Sequence, residues 1–101
     1  PTHKGVSMEK IVERIKGFRE LRQNWNGYGA EPLKPSVIAT ALHFVDLIGC
    51  SPNIEVFPTA RGTIQFEWEN DFYYVETEVY PDGSVKSFSQ WKGKFKHENH
   101  M

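Results

Sequence analysis

With 101 residues, 39% of them hydrophobic and 14% aromatic, the chain has material for one compact core, so a single domain is expected. The formal net charge is −1, and it is split into blocks: seven Lys/Arg against four Asp/Glu in residues 1–34, Arg61 against Glu55, Glu67, Glu69, Asp71, Glu76, Glu78 and Asp82 in residues 55–82, and four Lys against Glu98 in residues 83–101. Such blocks argue against polyanion binding by the whole surface, no stretch reaches the length of a membrane span, no charged-then-apolar leader is visible, and the single Cys50 excludes an internal disulfide; a cytoplasmic site is the expectation.

Residues 1–6 read as a disordered lead-in, with Ser7 as an N-cap. Met8, Ile11, Val12, Ile15, Phe18 and Leu21 follow helical spacing and predict a first helix with one apolar stripe. The corner Asn24-Trp25-Asn26-Gly27-Tyr28-Gly29-Ala30 ends it, and Pro32 and Pro35 bracket a short extended link. Pro35 or Ser36 opens a second helix whose buried stripe is Ile38, Ala41, Leu42, Val45 and Ile48, with Gly49 as its cap and Pro52 as its stop.

After Pro52 the period changes to two. Ile54-x-Val56-x-Pro58, Ile64-x-Phe66-x-Trp68, Tyr73-x-Val75-x-Thr77-x-Val79 and the run from Val85 to Trp91 predict four strands. A two-residue turn at Asn70-Asp71 would pair Glu69 with Phe72, Trp68 with Tyr73, Phe66 with Val75 and Ile64 with Thr77. A three-residue turn at Pro81-Asp82-Gly83 would pair Tyr80 with Ser84 and Val79 with Val85. In this phasing one face collects the β-branched and aromatic core candidates. The fold class is therefore α+β: two N-terminal helices packed on one face of a four-stranded antiparallel meander sheet. Residues 97–101 form a second disordered tail.

The corner Asn24–Ala30, then Pro32, and later Pro58-x-x-x-Gly62-x-Ile64-x-x-Glu67-Trp68, resemble a family of small uncharacterised bacterial proteins. Its members share an Asn-Trp-Asp-Gly-Tyr-Gly-Ala corner and a Gly-x-Ile-x-x-Glu-Trp strand. The resemblance spans about residues 10–90 and implies little chemistry. It implies a setting in mobile or accessory genome regions, such as toxin–antitoxin, phage or defence systems. This chain departs at Asn26, where the family pattern has Asp. A catalytic or metal-binding carboxylate would be lost by that change, whereas a turn-capping side chain would not.

Four features compete for a role. Trp25 and Tyr28 are either a stacking platform for a ligand or lids that close the core, and packing is the more common use of such corners. The second sheet face gathers Glu55, Glu67, Glu76 and Glu78 with Phe57, Phe72, Tyr74 and Phe88. Paired carboxylates serve glycoside hydrolysis or hold a hard cation, but both need a concave site and a meander face is flat. Rings rimmed by charge fit a partner surface, with a plain solvated or partly helix-covered face as the bland alternative. Trp91-Lys92-Gly93-Lys94-Phe95-Lys96 interleaves Lys with rings as single-strand nucleic-acid sites do, yet Lys equally guards a frayed edge strand. His97-x-x-His100 lacks the further ligands of a structural zinc site, His43 has no visible partner, and Cys50 has no positioned base around it.

No nucleophile elbow, phosphate loop or dinucleotide loop is present. The sequence thus points to a non-enzymatic interaction module with no cofactor and no metal. Phe72, Tyr74, Phe88, Glu67 and Glu76 are its partner-binding residues, and a basic protein or a second copy in a homodimer is its partner. A small-ligand binder or enzyme using Trp25, Tyr28 and Glu67 is the alternative, and nucleic-acid binding through the Lys-rich C-terminal strand is a second one, opposed by the acidic sheet.

Overall fold

Hydrophobic spacing of 3.6 residues, then of two, is converted into one helical layer and one sheet. The computed structural model describes residues 2–48 and 54–92, with side chains described from Met8 to Leu47 and from Ile54 to Lys92. Helix α1 runs Thr2–Gly17 and passes into a 3-10 turn, Phe18–Glu20; helix α2 runs Pro35–Ile48. Strands β1 (Glu55–Pro58), β2 (Ile64–Glu69), β3 (Tyr73–Val79) and β4 (Val85–Trp91) form one antiparallel sheet in the order β1-β2-β3-β4. The α+β meander expected from the sequence is the fold observed.

Ile15 and Phe18 from the first helical segment, Val37, Ile38, Ala41 and Val45 from α2, and Val56, Ile64, Phe66 and Val79 from the sheet make the buried cluster. Phe66 is fully buried and its ring packs on Phe44, centroids 5.0 Å apart. The even-numbered residues of β1 and β2 and the odd-numbered residues of β3 therefore face the helices. Trp68 packs on this cluster and Val75 is half-buried on the same face.

Two expectations need correction. Helix α1 begins at Thr2, so residues 2–6 are helical in backbone and Ser7 lies inside the helix rather than at its cap. Extending an existing helix is cheap compared with nucleating one, and nothing N-terminal to Ser7 forbids it. The β2–β3 turn is Asp71-Phe72, not Asn70-Asp71. Asn70 donates its N–H to the Tyr73 carbonyl at 3.0 Å, and its Oδ1 accepts the N–H groups of Phe72 and Tyr73, both at 2.8 Å. That side-chain bridge makes Asn70 the first residue of the turn instead of a corner. The pairs become Glu69–Tyr74, Trp68–Val75, Phe66–Thr77 and Ile64–Val79. The shift is two residues, so every side chain keeps its face. The β3–β4 register matches expectation, with Val79 opposite Val85 and the Tyr80 N–H bonded to the Ser84 carbonyl at 2.9 Å. Gly49, Cys50, Pro52, residues 93–96 of the Lys run, and His97 and His100 lie outside the described residues.

The helical layer is offset across the sheet. Arg14 of α1 donates its Nε to the Val56 carbonyl at 2.6 Å. Val56 points its peptide groups away from β2, because the neighbouring bonded pair is Thr59–Thr63 and bonded residues alternate along an antiparallel strand. The helices thus reach past the β1 edge, while every residue of β4 is exposed. Phe66→Ala is expected to cost about 3–5 kcal/mol through lost burial and a residual cavity. Urea unfolding followed by circular dichroism measures this; a loss under about 1 kcal/mol would contradict the assigned core.

Candidate functional site: the open sheet face

The face turned away from the helices has no described layer over it, and its rows follow from the register. One row runs Glu55, Glu67, Glu76, Phe88 across the strands. The next runs Phe57, Gln65, Glu78, Lys86, and a third joins Glu69, Tyr74 and Gln90. Three carboxylates therefore stand directly opposite one another on adjacent strands. Like charges so placed disfavour the sheet. Among the described residues none of the three forms an ion pair.

Hydrogen bonds hold part of this field in place. Tyr74 Oη donates to Glu76 Oε2 at 2.7 Å, and Gln65 Nε2 donates to Glu67 Oε2 at 3.0 Å. The bond to Glu76 leads in pushing the Tyr74 phenol well above its ordinary range, with burial and the charge of Glu67 adding to it. Tyr74 therefore stays a neutral donor at physiological pH. At the end of the face where β1 starts and β2 stops, Glu55, Glu67, Glu69, Asp71 and Tyr74 line an open acidic cleft, with Lys92 at its border. Lys92 pairs with Glu69 at 3.3 Å and donates to the Asn70 carbonyl at 2.7 Å.

Glu78 is different. Arg61 reaches its Oε2 with Nε at 2.9 Å and with a second guanidinium nitrogen at 2.8 Å; Tyr80 Oη donates to Oε1 at 3.0 Å, and Thr63 Oγ1 donates to Oε2. Burial works to raise this carboxyl, but the bonds from Thr63, Tyr80 and Arg61 prevail and hold it below its ordinary value of 4.5. Tyr80 is raised in turn, chiefly by its bond to Glu78. This cluster ties the β1–β2 turn to β3. It is a structural knot, and sequence spacing gave no sign of it because Arg61 and Glu78 are not adjacent in any regular pattern.

The predicted partner residues are only partly brought together. Glu67, Tyr74 and Glu76 form one connected group and Phe88 sits opposite Glu76, with a relative exposure of 53%. Phe72 does not belong to this face. It sits in the β2–β3 turn, its ring stacked on Trp91 with centroids 6.2 Å apart and an interplanar angle of 10°. Tyr73 meets the same Trp91 edge-on at 5.2 Å. The Tyr73–Trp91 pair follows from the expected β3–β4 register, whereas Phe72 joins it through the shifted β2–β3 turn.

The corner is ordered by its own polar groups. Asn24 takes φ of 67° and closes the loop through its N–H to the Ala30 carbonyl at 2.7 Å, while its Oδ1 accepts the Gly29 N–H at 2.6 Å. Asn26 Oδ1 accepts the N–H groups of Tyr28 (2.8 Å) and Ala30 (3.2 Å), a turn-capping role that needs no carboxylate. Trp25 is half-buried and donates Nε1 to the Glu31 carbonyl at 2.8 Å, and the Glu31 N–H bonds to Ala60 at 3.0 Å, which joins the corner to the β1–β2 turn. Tyr28 is 90% exposed and so is no lid on the core. Neither ring lines the cleft that contains Glu67, so the corner and that carboxylate do not form one described pocket.

Among the described residues no group of three metal-binding side chains converges, and no helix is long and apolar enough to cross a membrane. No protein-family model, curated protein or solved structure matches the chain at a significant level.

The lowered Glu78 gives a signed pH prediction. A carboxyl with a native pKa below its unfolded value adds stability above the unfolded value and loses it as pH falls through the native one. Stability is therefore expected to decline below pH 4.5. Glu78→Gln should remove this contribution and flatten the decline between neutral and acid pH, at a cost of about 1–3 kcal/mol at neutral pH from the charged bonds lost. Urea titrations at several pH values check both; an unchanged acid limb in the variant would exclude Glu78 as its source.

Proposed function

We propose that this protein is a small, non-enzymatic protein-interaction module that binds a basic partner through its open sheet face. The observation that supports this reading most is the row Glu55–Glu67–Glu76, three carboxylates aligned across adjacent strands, none of them in an ion pair among the described residues. Each like-charge pair costs the isolated sheet a few tenths of a kcal/mol or more. Arginines or lysines of a partner would relieve that repulsion and gain charge-assisted bonds. Phe57 in the adjoining row, Phe88 at the end of the same row, and Tyr74 with its donor committed to Glu76 supply apolar area beside the charge. Rings within a charged rim are the composition of a protein interface. The same carboxylates lack a nearby nucleophile, a paired acid in a closed cleft, or a converging ligand set, so their chemistry favours attraction over catalysis.

A fluorescently labelled Arg-rich peptide tests the surface directly. Binding is expected to weaken with added salt. Tyr74→Arg, or Glu67→Gln with Glu76→Gln, should reduce affinity roughly tenfold or more while leaving the circular dichroism spectrum unchanged. Equal affinity of these variants and the parent chain would overturn the assignment of this face.

A further inference from the structure

Within the corner, Asn26 carries chemistry that neither the fold nor the open face uses. Its carboxamide is followed by Gly27, so no Cβ shields the next backbone nitrogen. Gly27 is exposed, takes φ of 82°, and has no atom within 4 Å of the place a Cβ would occupy. The bond from the Tyr28 N–H to Asn26 Oδ1, 2.8 Å, closes a ring that passes through the Gly27 nitrogen. The carboxamide is thereby folded back across that peptide. A second N–H, from Ala30, meets the same oxygen at 3.2 Å. Among the described residues Asn26 Nδ2 makes no hydrogen bond that its departure would break.

Two donors on a carbonyl oxygen, a nitrogen held beside its carbon and an unbonded leaving nitrogen are the parts of an acyl transfer. We propose that Asn26 is a self-modifying site: the folded corner converts its carboxamide to the carboxylate of aspartate, with water as the co-reactant. Hydroxide takes the proton of the Gly27 N–H once its 3.0 Å bond to the Asn24 carbonyl opens. The nitrogen attacks Asn26 Cγ, and the carbonyl electron pair moves onto Oδ1, where the Tyr28 and Ala30 N–H groups hold it. The pair returns, the Cγ–Nδ2 bond breaks, and Nδ2 leaves as ammonia with a proton from water. A five-membered cyclic imide now joins Asn26 to Gly27. Water then adds to Cγ, again placing charge on the cradled Oδ1. The bond from Cγ to the Gly27 nitrogen breaks, and that nitrogen regains a proton. The sum is a carboxamide and water giving a carboxylic acid and ammonia. Water on the main-chain carbonyl of the imide leaves an isoaspartyl link instead, but among the described residues no backbone N–H reaches that carbonyl. The cradle therefore directs water to Cγ. The product keeps the corner closed, because a carboxylate accepts the same two N–H groups as charge-assisted bonds.

Two other asparagines are internal comparisons. Asn70 Oδ1 accepts the N–H groups of Phe72 and Tyr73 in the same way. Its next residue is Asp71, whose side chain shields the nitrogen and whose charge opposes its deprotonation. Asn24 precedes Trp25, and its Oδ1 accepts the more distant Gly29 N–H. Neither combines the cradle with an open nitrogen. The inference stands apart from the basic-partner reading, since it uses no residue of the open face.

Incubation of the full chain in mildly alkaline buffer, followed by peptide mapping with mass spectrometry, should show –NH2 replaced by –OH at Asn26 before Asn24 or Asn70. Aspartate should exceed isoaspartate in the native chain. In urea the cradle is lost, and isoaspartate should become the larger product. Asn26→Asp supplies the product as a standard and should leave the circular dichroism spectrum unchanged. Gly27→Ala should lose most of the conversion; it meets no neighbour but is strained at this φ, so its fold is checked by circular dichroism. The asparagine comparison needs no variant. Conversion in urea but not in the native chain overturns the inference. So does isoaspartate as the major native product, an Asn70 that converts as fast as Asn26, or a folded Gly27→Ala chain that converts unslowed.

Discussion

Two side-chain-closed turns place everything on the sheet. Asn70 accepts two backbone N–H groups and opens the β2–β3 turn. Asp82 Oδ1 accepts both the N–H and the hydroxyl of Ser84 at 2.9 and 2.7 Å, next to Gly83 with φ of 90°, and fixes the β3–β4 turn. Once these turns are set, a period of two decides the rest. Phe66, Thr77 and Val79 go toward the helices, and Glu67, Glu76 and Glu78 go away from them. A turn changed by a single residue would bury the carboxylates and expose the core, an exchange no single surface contact could offset. The open face is thus a consequence of turn chemistry as much as of strand composition.

The second organising fact is the lateral offset of the helices. α1 lies against β1 and sends Arg14 over its edge, while α2 lies over β2 and β3. Ser36 of α2 reaches the β3–β4 turn through its hydroxyl, which donates to the Pro81 carbonyl at 3.1 Å. The helical layer ends there. On the helix side of β4 the residues are accordingly Val85, Ser87, Ser89 and Trp91, a mixed set that no core selects. Ser87 shares a hydroxyl bond of 2.9 Å with Thr77, the last fully buried polar residue before the layer runs out. One displacement therefore covers the β1 edge and leaves the residues of β4 exposed.

Much of this fold was legible because its signals are local. Periods of 3.6 and two, Pro35 at a helix start, and Pro81-Asp82-Gly83 at a turn each depend on neighbours in sequence. The Glu55–Glu67 opposition was readable for the same reason, since a short turn fixes a hairpin register. What could not be read depends on atoms that meet only after folding. The Asn70 side chain chooses between two turns of similar composition, and that choice moves Phe72 from the sheet face to a stack on Trp91. Helical spacing gives Ile15 and Phe18 a common stripe, but it says nothing of where the helix stands on the sheet. Hence the sequence expects helices over one face of all four strands, and in the structure β4 is exposed on both faces.

Phe88 is where these constraints meet. It continues the carboxylate row beyond Glu76 and also lies at the middle of the bare strand. A charged residue there would extend the repulsion to the sheet margin; a ring ends it. The Lys side chains nearest that margin, Lys86 and Lys92, sit to either side, one over the Tyr80 ring at 5.2 Å and the other on Glu69. The negative charge is thereby kept off the β4 margin, which is left apolar and nearly neutral. Charge drives long-range approach, while neutral strand edges allow close backbone contact. The two kinds of surface are thus kept apart on one small sheet, the carboxylates on β1 to β3 and the apolar, nearly neutral residues on β4.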